Sequence, residues 1–258
     1  SAVKPPISKR IKTDLIDFDD NSQFDSHSFE NILNFLYSQT DYEEERGAKM
    51  EMKFHFIFKS YYSPKPQNLY KIISKNPSEY MSVICQMYLP DDENLRNEEL
   101  DRRKQNENQQ LFFEFNYHLL EGFNHIPSLR LDGTLVREEL NSWINEVRIL
   151  AKDNHRKEIT DRCIGKLLAK YRIDILNKKG YPIEIYDIIE EINSENINSA
   201  FEMQISNNLG FTSRGAFEGG NIERERAKFF NSLFEETKII YPNVSLIFKN
   251  LRDKYLRD

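Results

Sequence analysis

Glycine, arginine and glutamate crowd one stretch of this chain, from Asn207 to Asn221. Four of the nine glycines fall there: Gly210, Gly215, Gly219 and Gly220. Arg214 and Glu218 stand among them, and Arg224 follows. A glycine-rich turn that opens a helix can cradle an anion, because the first N–H groups of the helix lack backbone partners and point outward. Arg214 and Arg224 would add positive charge. The pattern is not a P-loop, since no Gly-Lys-Ser/Thr follows. Nor is it a dinucleotide fingerprint: its spacing differs and no strand pattern precedes it. Glycine also serves where two helices need a tight connection, and that plainer reading is preferred. Arg214, Gly215, Glu218, Gly219, Gly220 and Arg224 are thus the candidate contacts for an anion or a partner.

Other reactive side chains form weaker sets. Glu114, His118 and Glu121 recur at i, i+4 and i+7, which puts them on one face of a helix. A carboxylate-bridged metal site would need a second Glu-x-x-His pair, and none is present. The trio reads as the polar strip of a helix otherwise filled by Phe112, Phe113, Phe115, Leu119 and Leu120. His27, His55, His125 and His155 lack a neighbouring Cys or carboxylate at ligand spacing. No Gly-x-Ser-x-Gly elbow appears. Glu190-Glu191 and Glu235-Glu236 read as solvated helix faces. No motif calls for a cofactor, and the reading leans against an enzyme.

Charge narrows the partners. The chain has 258 residues and a net charge of −6, which gives no general attraction to phosphate backbones. Residues 221–258 are locally basic, with eight Lys/Arg against six Asp/Glu. Lys249, Arg252, Lys254 and Arg257 lie in the last helical pattern, so nucleic acid stays a low-ranked partner. No apolar run approaches the ~20 residues of a membrane span. Cys85 and Cys163 sit singly in apolar helical patterns and read as reduced residues of a cytoplasmic protein.

The elements that must position these residues read as helices. Residues 1–27 are polar and acidic and form a linker. Ser28 is placed to cap a helix with Phe29, Ile32, Leu33 and Leu36 inward. Ala48–Tyr62 fits both a strand and a helix, and Met, Lys and Glu favour the helix. Asn76-Pro77 reads as cap and first turn. Residues 91–110 are charged and Asn-rich, either a loop or an exposed helix start, and are where a subdomain break would fall. Asp132-Gly133-Thr134 opens a strong amphipathic pattern through Val136, Leu140, Trp143, Ile144 and Val147. Patterns at 159–168, 183–192, 195–208 (capped by Ser194), 221–239 and from 242 onward complete the chain. The expected fold is all-α: about ten helices over 28–258, in an antiparallel array or irregular bundle that could stack like a solenoid.

One resemblance adds to this. Met203 to Glu225, with its Ser-Arg-Gly and Glu-Gly-Gly loop, and Tyr241 to Tyr255, with Tyr-Pro opening a last helix, carry it. Trp143-Ile-Asn-Glu-Val-Arg and Ile164-Gly-Lys-Leu-Leu echo it. From about Tyr80 onward the chain resembles the C-terminal region of a group of large, uncharacterised bacterial multidomain proteins, loosely linked to phage defence. The resemblance implies an all-α module and supplies no catalytic residue. With ends that show neither an initiator Met nor a helix stop, it also implies a piece of a longer protein. The expected role is a non-catalytic scaffold that meets other domains of the same polypeptide or a partner protein. Anion or nucleotide binding at 210–220 is the alternative.

Overall fold

The computed structural model describes residues 44–53, 65–105, 109–171, 173–175, 177, 179–210 and 220–257, with Asn31, Asn34, Phe35 and Ser38 as single helical positions. The expected linker 1–27, the rest of the helix expected after Ser28, and Phe54–Tyr62 lie outside the described residues.

The protein is all-α. Eleven helices are described: α1 Glu44–Lys53, α2 Gln67–Lys75, α3 Pro77–Met87, α4 Glu93–Lys104, α5 Gln109–Gly122, α6 Arg137–Asp153, α7 Lys157–Leu168, α8 Ile183–Ile192, α9 Glu195–Asn208, α10 Asn221–Thr237 and α11 Pro242–Arg257. The only β pairing among the described residues is two isolated bridges, Leu129 with Leu135 and Asp174 with Lys179. The chain divides into two compact units. One holds residues 1–125 and 146–156, the other 126–145 and 157–258, so α6 contributes to both. Residues 91–110 lie inside the first unit.

The first unit closes its helix ends with side chains from elsewhere in the chain. Pro66 precedes α2 and offers no side-chain cap. Glu51 of α1 does the work instead. Its carboxylate accepts from the Asn68 and Leu69 backbone N–H groups at 2.9 and 2.8 Å, and from Asn68 Nδ2 at 3.0 Å. Glu51 is wholly buried, and the positive end of α2 makes that tolerable. Tyr70, Tyr80 and Phe123 pack beside it, with ring centres 5.6 and 5.7 Å apart. Burial, and then the Glu51 charge, push the Tyr70 hydroxyl pKa well up, so it stays a neutral phenol.

The other end of the unit is closed by arginine. Arg103 Nη2 donates to the carbonyls of Cys85 and Tyr88, and Arg156 Nε to that of Tyr88, where α3 ends. Glu99 bridges the two guanidiniums, at 2.5 Å from each. Helix α4, which carries Glu99 and Arg103, buries none of its own residues. It is a helix rather than a loop because Asp92 caps it, accepting from Leu95 N at 3.0 Å. Burial alone would raise the Glu99 carboxyl; hydrogen bonds from Arg103 and Arg156 outweigh this and hold it below the usual carboxylate range.

In the second unit, helices approach closely. Gly165 of α7 lies against α9, where an added Cβ would stand 2.3 Å from the Ile197 carbonyl oxygen. No side chain fits there. Helices α10 and α11 run antiparallel, for the later a residue on α10, the earlier its partner on α11. Arg226 lies over the Tyr255 ring and Arg252 over that of Phe234. Phe230 stacks on both Phe248 and Tyr255. Tyr181 packs on Phe201 at 4.9 Å and donates its hydroxyl to the Ala169 carbonyl at 3.2 Å.

Two local expectations are corrected. The turn Asp132-Gly133-Thr134 does not open α6. Asp132 Oδ1 accepts from Thr134 N at 2.9 Å and Gly133 takes φ +86°, so these residues close the Leu129–Leu135 bridge and the helix starts at Arg137. Ser194 precedes α9 but does not cap it; its hydroxyl donates to buried Asp161 at 2.8 Å.

Gly165→Val should lower stability by about 2 kcal/mol through overpacking, read as an earlier midpoint in urea. The Glu99 link should also be acid-labile. Its folded pKa is depressed, so its stabilisation is present above the unfolded value of about 4.3 and fades as pH falls through the folded value. A midpoint of Glu99→Gln that shows the same acid slope as the unsubstituted chain would refute this.

Candidate functional site

Of the glycine-rich stretch, residues 211–219 lie outside the described residues, and with them Arg214, Gly215, Glu218 and Gly219. Its two ends are described. Gly210 and Gly220 both take left-handed backbone, with φ +64° and +72°. Arg226 donates from Nη2 to the Leu209 carbonyl at 2.6 Å, closing the end of α9 from one turn inside α10. The loop therefore leaves and enters helices that are tied together. Gly220 stands at the cap position of α10 without a side-chain cap. Arg224 Nη2 donates to Asn221 Oδ1 at 2.7 Å. Glu223, in the first turn, is buried, and its Oε2 would lie 3.8 Å from a Cβ on Gly220. That carboxylate already meets the positive end of α10, where a bound anion would otherwise gain most.

The remaining sequence candidates are dispersed. Glu114 accepts from Gln110, His118 lies beside the Tyr117 ring, and Glu121 is exposed, all on α5. Among the described residues no three His, Cys, Asp or Glu side chains are grouped to hold a metal ion. On α11, Arg252 pairs with Asp253, donates to Asn231 and covers Phe234. Arg257 turns back to the Asp253 carbonyl. Lys249 and Lys254 are exposed.

A different place in the second unit gathers polar and apolar side chains that sequence reasoning did not single out. It is the end formed by the start of α8 and the turn between α10 and α11. Tyr241, in the turn, donates its hydroxyl to Asp187 of α8 at 3.1 Å, and its ring lies 5.6 Å from that of Tyr186. Burial and the Asp187 hydrogen bond, helped by the nearby Glu184 charge, push the Tyr241 pKa up. Glu190 is not the plain solvated residue expected. It accepts from Val244 N at 2.9 Å and Asn243 Nδ2 at 2.7 Å, capping α11 from α8. Glu191 holds Arg137 at 3.1 Å and Asn141 at 3.2 Å, and the Arg137 Nε lies 3.3 Å from Asp187. The Arg137 Nε has no aligned hydrogen bond, so that contact is Coulombic only.

This stapled frame leaves isoleucines facing outward. Ile239 and Ile240 are 85% and 69% exposed, and Ile183, one turn before Asp187 on α8, is 56% exposed. The cause is the helix stop. Phe230, Leu233 and Thr237 form the buried stripe of α10, which a continuing helix would extend to Ile240. Helix α10 ends at Thr237, and Pro242 opens α11. Thr237 instead receives the Ile240 and Tyr241 N–H groups on its carbonyl at 3.1 and 2.8 Å, and the isoleucines turn out. Set against known proteins, the chain matches no family model, no curated protein and no solved structure.

Glu190→Ala removes a cap supplied from another helix. It should cost about 1 kcal/mol and speed hydrogen exchange in the first turn of α11, with little change in α7. Equal protection of that turn in both proteins would show that the cap contributes nothing.

Proposed function

We propose that this chain is a non-catalytic helical scaffold that docks a protein surface, either another domain of its own polypeptide or a separate partner. The observation that carries this is the exposed Ile239-Ile240 pair at the end of a frame held rigid by Glu190, Asp187 and Tyr241. Single exposed apolar residues are ordinary on protein surfaces. Two in succession, in a turn where polar residues and glycine usually serve, expose carbon that gains by being covered. Rigid support favours docking, because little side-chain and loop freedom is then lost on binding. A cytoplasmic setting belongs to the same proposal; Cys85 and Cys163 are both unbridged. No described helix is long and apolar enough to cross a membrane.

The alternative is anion or nucleotide binding at 210–220. Buried Glu223 at the start of α10 weighs against it. Nucleic-acid binding by α11 is weakened by the engagement of Arg252 with Asp253 and Asn231 and of Arg257 with the Asp253 carbonyl of its own helix.

The test is the double variant Ile239→Ser/Ile240→Ser. Both side chains face solvent, so thermal stability should hold. Sizing of the chain and capture of its partners should differ, with at least one association lost. The same associations in the variant would overturn the proposal. A phosphate- or nucleotide-dependent rise in Tm that Arg224→Ala abolishes would favour the alternative, since a ligand at 100 times its Kd adds about 2.7 kcal/mol.

A further inference from the structure

Resting on that docking role, we infer that the exposed Ile239-Ile240 turn, with the start of α8 beside it, receives a cationic amphipathic helix, one whose apolar stripe is flanked by Lys or Arg. The charge around the isoleucines points to this partner. Helix α8 carries four carboxylates, Glu184, Asp187, Glu190 and Glu191, and no Lys or Arg. Glu235 and Glu236 precede the Ile239-Ile240 turn. Arg137 is engaged with Asp187 and Glu191, and Lys238 with Glu235, while Lys179, just before α8, is exposed.

Two of these carboxylates, Glu184 and Glu236, have no hydrogen-bond or ion-pair partner among the described residues. Glu184 adjoins Ile183 in the first turn of α8. There the helix dipole by itself favours an acid. Glu236 has no such excuse. It lies in the last turn of α10, which holds no basic residue, where the helix's negative end disfavours a carboxylate. The Tyr186 and Tyr241 rings pack together, and Glu236 acts on the first and Glu184 on the second, so both acids lie where α8 meets the turn. An amphipathic helix presents this complement: apolar side chains at i, i+3 and i+4, with cations on either side. Oppositely signed rims also speed encounter and reject acidic competitors.

The full chain is titrated, by fluorescence anisotropy, into a labelled synthetic peptide of about 15 residues with leucines at i, i+3, i+4 and i+7 and flanking lysines. A second peptide carries Glu in place of every Lys. The lysine peptide should bind, and the glutamate peptide should not. Ile239→Ser/Ile240→Ser should weaken binding about tenfold or more. Glu184→Gln/Glu236→Gln should weaken it severalfold and flatten its dependence on salt. Leu256→Ser is the control, being exposed at the far end of α11, about 20 Å away along the helix. It should leave binding unchanged.

Equal binding of both peptides, abolished by the isoleucine variant, would overturn the cationic assignment and leave the docking role standing. Binding of neither peptide, or binding of the lysine peptide untouched by Glu184→Gln/Glu236→Gln, would also overturn it. Self-association of the chain through the same isoleucines would replace the peptide with a second copy and overturn it as well. The docking role fails separately, if no association of the chain depends on Ile239 and Ile240.

Discussion

Every helix leaves N–H groups unpaired at one end and C=O groups at the other, and at four of these ends this protein answers them with charged side chains from elsewhere in the chain. Glu51 closes the start of α2, and Glu190 the start of α11. Arg103 and Arg156 close the end of α3, and Arg226 the end of α9. In each case one contact settles two questions. It satisfies backbone that burial would otherwise penalise, and it sets which helix end faces which neighbour. A local Ser or Asp cap satisfies the backbone but says nothing about tertiary arrangement.

The same device explains how polar residues are accommodated in the core. Glu51 and Arg156 are buried charges, and an isolated one would be too costly to keep. Glu51 is held by three hydrogen bonds at the positive start of α2, and Arg156 by the Tyr88 and Asn154 carbonyls and the Glu99 carboxylate. Helix α4 shows the limit of this approach. It buries no residue of its own and is attached through Arg103 and the Glu99–Arg156 pair. Its docking is electrostatic where that of α10 on α11 is apolar and aromatic.

The outward isoleucines belong to this frame. Glu190 and Asp187 draw α8 onto the start of α11 and its preceding turn, and α10 ends at Thr237, leaving Ile239 and Ile240 exposed between the helices. The exposed carbon therefore sits in a corner held by the hydrogen bonds of Glu190 and Asp187. Carboxylates surround it, and one of them, Glu236, is set against the dipole of its own helix.

Apolar spacing at three and four residues was enough to specify an all-α protein, and the bounds of α8 and α9 follow from it. Those signals are local, since a helix's period, its proline and its buried stripe lie within a few residues of one another. Where the turn at Asp132 and the hydroxyl of Ser194 departed from expectation, a competing bond had won, to Thr134 in one case and to Asp161 in the other. Glu190-Glu191 looked like ordinary surface because its partners, Val244 and Arg137, are more than fifty residues distant. The exposure of Ile239 and Ile240 was equally hidden, because it depends on where α10 ends and what packs beside it. Sequence by itself determined the helices and their inward faces, because these depend on neighbours in the chain. Only the tertiary structure decided which ends meet and which side chains are left facing solvent, because those depend on residues that folding alone brings together.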